Sequence, residues 1–157
     1  MDVPLYDSLD GQVVLVTGAT RGIGKAIADG LVDLDATVYA GARDTGDIEA
    51  TDRHAIELDV TDDEGMVAAV DRIEREQGRL DVLVNNAGVM DSREPLDGMP
   101  TDVIDHTFDT NLRGAVLMTK YALPLLLAEA GGRIVTMAAL SIPVLYVSYR
   151  LARIVST

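Results

Sequence analysis

Val13-Val14-Leu15-Val16 runs apolar into Thr17-Gly18-Ala19-Thr20-Arg21-Gly22-Ile23-Gly24, and a helical pattern follows at once. Four consecutive apolar residues closed by a turn read as a strand buried on both faces. Gly18 lets the chain turn sharply off that strand, and Gly22 lets backbone approach a ligand with no Cβ in the way. Gly24 lets the following helix lie close to the sheet. A helix opening at this point presents free N–H groups and the positive end of its dipole, which together suit a pyrophosphate. The spacing is Gly-x-x-x-Gly-x-Gly rather than the commoner Gly-x-Gly-x-x-Gly. On their own, these glycines also suit an ordinary tight turn between strand and helix.

The flanking sequence continues the alternation to about residue 138. Gln12–Val16 is the first predicted strand, and the spacing of Ile23, Ile27, Leu31 and Leu34 predicts a helix over Gly22–Leu34. Ala36–Ala40, Ala55–Leu58, Leu80–Val84 and Arg133–Ala138 read as four further strands. Thr61-Asp62-Asp63-Glu64 reads as a capping box, Thr61 and Glu64 satisfying each other's N–H groups ahead of a helix through Met66, Val70 and Ile73. Gly78 ends that helix. Two more helices are expected over Asp102–Leu112 and Gly114–Ala130, the second interrupted at Pro124 and stopped by Gly131-Gly132. Residues 44–54 form a polar connection.

Such alternation predicts an α/β fold: a Rossmann-type, doubly wound parallel sheet with helices on both faces and right-handed crossovers. Its ligand belongs at the carboxyl ends of the strands, beside the topological switch point. From Leu140 the alternation stops, so one domain over residues 1–157 is expected, with about five strands and incomplete at its C-terminal side. Residues 1–10 read as an N-terminal extension and 140–157 as an irregular tail in place of a further helix.

Composition narrows the partners. With 157 residues, 48% of them hydrophobic, the chain suffices for one domain with a real core. No apolar stretch approaches the roughly 20 residues of a membrane span. The acidic start Met1-Asp2-Val3-Pro4 lacks the layout of a signal peptide, so a cytoplasmic location is expected. Cysteine is absent and the histidines are two scattered residues, His54 and His106, so no metal centre is expected. A net charge of −13 argues against nucleic acid. The acids are 19 Asp to 7 Glu and the bases 11 Arg to 2 Lys, a balance resembling proteins of salt-loving archaea, where salt screens self-repulsion. An ordinary acidic surface is the alternative.

Four further features fall at strand ends. Arg43 follows the second strand, 19 residues beyond Gly24, where an acid would bind a ribose 2′-hydroxyl and an arginine suits a 2′-phosphate. Arg21 points the same way, although either arginine alone also reads as a solvated charge. Asp59-Val60 follows the third strand, placed for an adenine edge or simply as a charge at a helix start. Asn85-Asn86-Ala87-Gly88 follows the fourth, small and polar enough to pass close to a sugar. Asn111 stands inside a helical pattern, where asparagine is a poor former.

Together these motifs resemble the classical short-chain dehydrogenase/reductase family over residues 11 to about 138. The resemblance implies an NAD(P)-dependent oxidoreductase that moves hydride between nicotinamide and a small alcohol or carbonyl substrate. It implies that Gly18, Arg21, Gly22, Ile23 and Gly24 hold the pyrophosphate side and Arg43 a 2′-phosphate, so that NADP(H) is preferred over NAD(H). Asp59 and Val60 then flank adenine, Asn86, Ala87 and Gly88 line the ribose, and Asn111 is the catalytic asparagine that positions a water. The Gly114–Ala130 helix matches the family's dimerisation helix, implying a homo-oligomer.

The catalytic half departs from that pattern. Ala139 stands where the family places its serine, and Ser141 comes two residues late. The nearest match to the family's tyrosine and lysine is Tyr149 with Arg153. Arginine is longer, forked and never neutral, so it does not replace lysine conservatively. Tyr149 is the one candidate acid, or else a partly exposed aromatic in a tail. An NADP(H)-binding or dimerising pseudoenzyme without turnover is therefore the competing expectation.

Overall fold

A computed structural model of the chain describes residues 8–46, 48, 53–89, 96–128 and 131–137. Strands β1 (Val13–Thr17), β2 (Thr37–Ala42), β3 (Arg53–Glu57), β4 (Val82–Asn85) and β5 (Arg133–Thr136) form one sheet in the order β3-β2-β1-β4-β5. Every pairing is parallel. Helix α1 (Gly22–Val32) connects β1 to β2, α2 (Asp63–Gln77) connects β3 to β4, and α3 (Thr101–Phe108) with α4 (Ala115–Ala128) connects β4 to β5. The chain steps outward from β1 through β2 to β3, then returns to the other side of β1 with β4. That reversal opens a crevice at the carboxyl ends of β1 and β4, as the alternation predicts.

The burial pattern explains why the strands read as apolar runs rather than alternating ones. Val13 and Leu15 point to one side, packing with Met66, Ile73, Leu83 and Met118 beneath α2 and α4. Val14 and Val16 point to the other, packing with Ala28, Val38, Ala40 and Val84 beneath α1. Leu9 joins this second cluster, its N–H donating to the Leu34 carbonyl at 2.6 Å. Buried charge is paired. Asp81 accepts from the Val13 N–H at 2.7 Å through Oδ2 and is gripped by the Arg79 guanidinium, which fixes where β1 begins beside β4. Arg53, its side chain almost wholly covered, meets Asp29 of α1 at 2.9 Å.

Local details differ from expectation in three places. The cap of α2 is Asp62, whose carboxylate accepts from Glu64 N–H at 3.1 Å. Thr61 instead donates both its N–H and its hydroxyl to Asp59 two residues back, in an Asx turn ahead of the helix. Gly78 does end α2, in the left-handed conformation at φ 70°. The two helices expected over Asp102–Leu112 and Gly114–Ala130 are one continuous rod. A π turn over Asp109–Gly114 joins α3 to α4 where a break was expected. Pro124 does not interrupt α4, whose Met118, Ala122, Leu125 and Leu126 are packed on the sheet. Strand bounds move by at most two residues, and β5 is exposed along its length.

Candidate functional site

A cavity of about 530 Å³ opens at the carboxyl ends of the strands. Gly18, Arg21, Gly22, Ile23 and Gly24 form one wall, Arg43 stands at the end of β2, Asp59 and Val60 at the end of β3, and Asn86, Ala87 and Gly88 at the end of β4. All eleven residues expected to bind a cofactor therefore meet around one space. α1 begins at Gly22 with no acid in its first turn, so no side chain of that turn neutralises the positive end of its dipole.

A clamp between β1 and β4 shapes this wall. The Thr17 hydroxyl, buried at the end of β1, accepts from the N–H groups of Asn86 and Ala87, both at 2.9 Å. The Asn86 carboxamide returns the tie, Nδ2 donating to the carbonyls of Thr17 at 2.9 Å and Gly18 at 3.1 Å. The backbones are drawn so close that a Cβ on Gly18 would stand 2.8 Å from the Ala87 Cα, and Gly18 is at φ +66°. A Cβ on Gly24 would stand 2.2 Å from the Gly18 oxygen and 2.3 Å from Asn86 Nδ2. The glycine turn is thus packed so closely against α1 and the chain after β4 that no side chain fits at either position.

The opposite wall carries charge. Asp59 accepts from Thr61 N–H at 2.8 Å and Thr61 Oγ1 at 2.7 Å, both on Oδ1. Burial acts to raise its pKa, but the Thr61 hydrogen bonds, with Arg43 and His106 nearby, outweigh burial and hold it below the ordinary carboxylate value. Asp59 is therefore a carboxylate at neutral pH. Gly114 in the π turn packs directly on Val60, where a Cβ would come within 2.8 Å of the Val60 oxygen. This contact draws the rod against the Asp59–Val60 turn and brings His106 and Thr110 to the cavity wall.

Asn111 is buried in the π turn behind that wall. Its Nδ2 donates to the Val89 carbonyl at 2.9 Å and its Oδ1 accepts from the Val89 N–H at 2.8 Å, a two-point hold of the backbone after Gly88. Thr17, Val89, His106 and Thr110 contribute to the site without having been singled out by sequence. Only Thr17 carried a signal, as the last residue before the glycine turn. Ala139, Ser141, Tyr149 and Arg153 lie outside the described residues. Among the described residues no helix is long and apolar enough to cross a membrane.

Comparison with known proteins agrees with this geometry. A family model described as short chain dehydrogenase matches residues 12–146. The chain is 37% identical over 139 residues to a 3-oxoacyl-(acyl-carrier-protein) reductase of Vibrio harveyi, covering 84% of this chain and 56% of that protein. To galactitol 2-dehydrogenase of Agrobacterium fabrum it is 36% identical over 138 residues, covering 83% and 54%. Among solved structures, ligand-free aldohexose dehydrogenase of Thermoplasma acidophilum superimposes with a TM-score of 0.78 at 35% identity, covering 83% of this chain and 50% of that one. A metagenomic short-chain oxidoreductase in complex with NADP gives 0.74 at 34%, covering 80% and 61%. The chain spans about half the length of the curated relatives it matches.

Proposed function

The chain belongs to the short chain dehydrogenase family, and from that premise we propose that its cavity binds NADP(H), serving hydride exchange with a small alcohol or carbonyl substrate. The open glycine cradle and the α1 N-terminus suit a pyrophosphate. The observation that carries the preference for the phosphorylated cofactor is Arg43, exposed at the end of β2 on the cavity wall that Arg21 also lines. A guanidinium offers a 2′-phosphate two parallel donors, whereas an acid there would repel it. NADPH is expected to bind at least tenfold more tightly than NADH by fluorescence titration, and Arg43→Asp to reverse the order. Equal affinities in the unmutated protein would overturn the assignment.

When bound, the nicotinamide supplies or accepts the hydride. Asn111 acts on the site through Val89, as a positioning residue that fixes the Gly88–Val89 backbone along the cavity. Proton transfer to a developing alkoxide needs an acid within hydrogen-bond reach, and the sequence offers Tyr149. With Ala139 in place of a serine and Arg153 in place of a lysine, turnover by these residues is slow. That departure favours the second reading, a binding protein without turnover. A panel of carbonyl substrates with NADPH separates the two, since rapid reduction abolished by Tyr149→Phe identifies an enzyme that uses this acid.

We read the exposed stripe Phe108, Leu112, Val116, Leu123 and Leu127 on the α3–α4 rod as a surface for a second copy. Two copies each bearing 26 acids against 13 bases repel one another until salt screens them. Melting temperature and dimer fraction should therefore rise together between low and molar salt. A monomer of unchanged melting temperature across that range, by sedimentation and calorimetry, would refute both the salt adaptation and the assembly.

A further inference from the structure

Arg43 does not stand in a simple positive field. Two carboxylates line the same cavity, Asp44 directly after it and Asp59 at the end of β3, and each opposes an anion brought to Arg43. Asp44 is turned to its own loop, Oδ1 accepting from the Gly46 N–H at 2.8 Å. Asp59 is half-buried, and its Oδ1 takes both hydrogen bonds from Thr61. Those donors are neutral, so they orient the carboxylate without removing its charge.

His106 reaches the cavity from α3, an element separate from both carboxylates. Gly114 packed on Val60 draws the rod to the turn that carries Asp59, and α3 is continuous with that part of the rod. Arg43 and His106 both act on Asp59 by charge. On its own helix His106 is accompanied by Asp102, Asp105 and Asp109, all exposed to water that screens them. The other charged groups at the cavity are Arg21, Arg43 and Asp44. When a 2′-phosphate enters, two anions share the field of Arg43: the phosphate and Asp59. A cation at position 106 offsets the second.

Deepening the assignment of the cavity to NADP(H), on which this inference rests, we propose that His106 in its charged form offsets Asp59 and so leaves the charge of Arg43 to the 2′-phosphate. His106 is then a determinant of the choice between the phosphorylated and unphosphorylated cofactor, acting through Asp59 and not by touching the phosphate. Histidine gains and loses its proton in the neutral range, so this choice is linked to pH.

The test is titration calorimetry with NADP⁺ and NAD⁺ near about pH 6 and about pH 8.5, on either side of the range in which histidine titrates. The 2′-phosphate changes charge over the same range, so each variant is compared with the unmutated protein at the same pH. Near pH 6, His106→Gln should lower the ratio of NADP⁺ to NAD⁺ affinity about fivefold, the scale on which one partly exposed charge acts. Near pH 8.5 the two proteins should coincide. Asp59→Asn in the His106→Gln background should restore the ratio near pH 6, because the charge to be offset is gone. His106→Arg, a permanent cation, should match the unmutated protein near pH 6 and exceed its ratio near pH 8.5. A ratio that His106→Gln leaves unchanged near pH 6, or that Asp59→Asn does not restore, overturns the proposal. Should thermal melts show that the glutamine variant does not fold, His106→Arg decides: a ratio equal to that of the unmutated protein at both pH values overturns it. If the unmutated protein binds neither cofactor, or both equally at both pH values, the NADP(H) assignment itself fails and this role with it. A preference for NADP⁺ that is indifferent to position 106 removes the role of His106 alone.

Discussion

Gly24→Ala is expected to raise the dissociation constant for NADPH at least a hundredfold and to destabilise the protein by about 3 kcal/mol, the upper end of what overpacking costs. The added methyl would sit 2.2 Å from the Gly18 oxygen and 2.3 Å from Asn86 Nδ2. One neighbour is backbone and the other is tied to two carbonyls, so neither swings aside cheaply. Relief requires α1 to move off the sheet, which takes its N-terminal N–H groups away from the phosphates. Gly30→Ala is the control on the same helix. Nothing lies within 4 Å of the new Cβ, and the change should stabilise by about 0.5–1 kcal/mol through helix propensity alone. Urea midpoints and NADPH titrations of the two variants should move in opposite directions for stability and differ sharply for binding. Similar behaviour of both would mean that the close approach at Gly24 is not what builds the cradle.

The second large effect is expected at Thr17. Thr17→Val keeps the shape but leaves the N–H groups of Asn86 and Ala87 without the oxygen they now share at 2.9 Å. A buried unpaired donor costs about 1–3 kcal/mol and these two are partly buried, so a loss of about 2–4 kcal/mol is expected in urea unfolding. Thr17→Ser retains the oxygen and should lose only about 1 kcal/mol, the contribution of a buried methyl. Cofactor affinity should fall with valine and persist with serine, since the Asn86–Gly88 backbone is held by that oxygen. Equal destabilisation by the two variants would assign the effect to packing and not to the shared acceptor.

The strands and the cradle were legible in the sequence because their signals are local. Val13–Val16 and Val82–Val84 are apolar runs too short for helices, and the glycines fall where a strand must turn into a helix. All eleven expected cofactor residues then meet at one cavity because each follows directly on a strand, and a parallel sheet brings its strand ends together. What the sequence did not disclose depends on partners far along the chain. The place of Thr110 at the cavity results from the π turn, and Gly114 packing on Val60, 54 positions earlier, helps to hold that turn. No local pattern announces such a contact, and Leu112–Gly114 instead reads as a break between two helices. Asp62 rather than Thr61 caps α2, while Thr61 turns its hydroxyl to Asp59, a pairing that the capping pattern by itself does not reveal. The Asn86 Nδ2, likewise, is tied to the glycine turn, which no local pattern announces.

The π turn over Asp109–Gly114 also has a consequence for how this site changes over generations. Each residue of an α-helix advances the side-chain direction by about 100°, and a π turn absorbs one surplus residue into an otherwise continuous rod. Upstream of it the rod aims His106 at the cavity, its own first turn adds Thr110, and downstream it aims Met118, Ala122 and Leu126 at the sheet. The two aims are out of phase for a regular helix, and the surplus residue is what reconciles them. Losing that one codon would swing the upstream segment by about 100° relative to the packed half, taking Thr110 and Asn111 off the site while Met118 and Ala122 kept their seats. The geometry of the pocket is in this way heritable apart from the core: a single-codon insertion or deletion here retunes the one without rewriting the other.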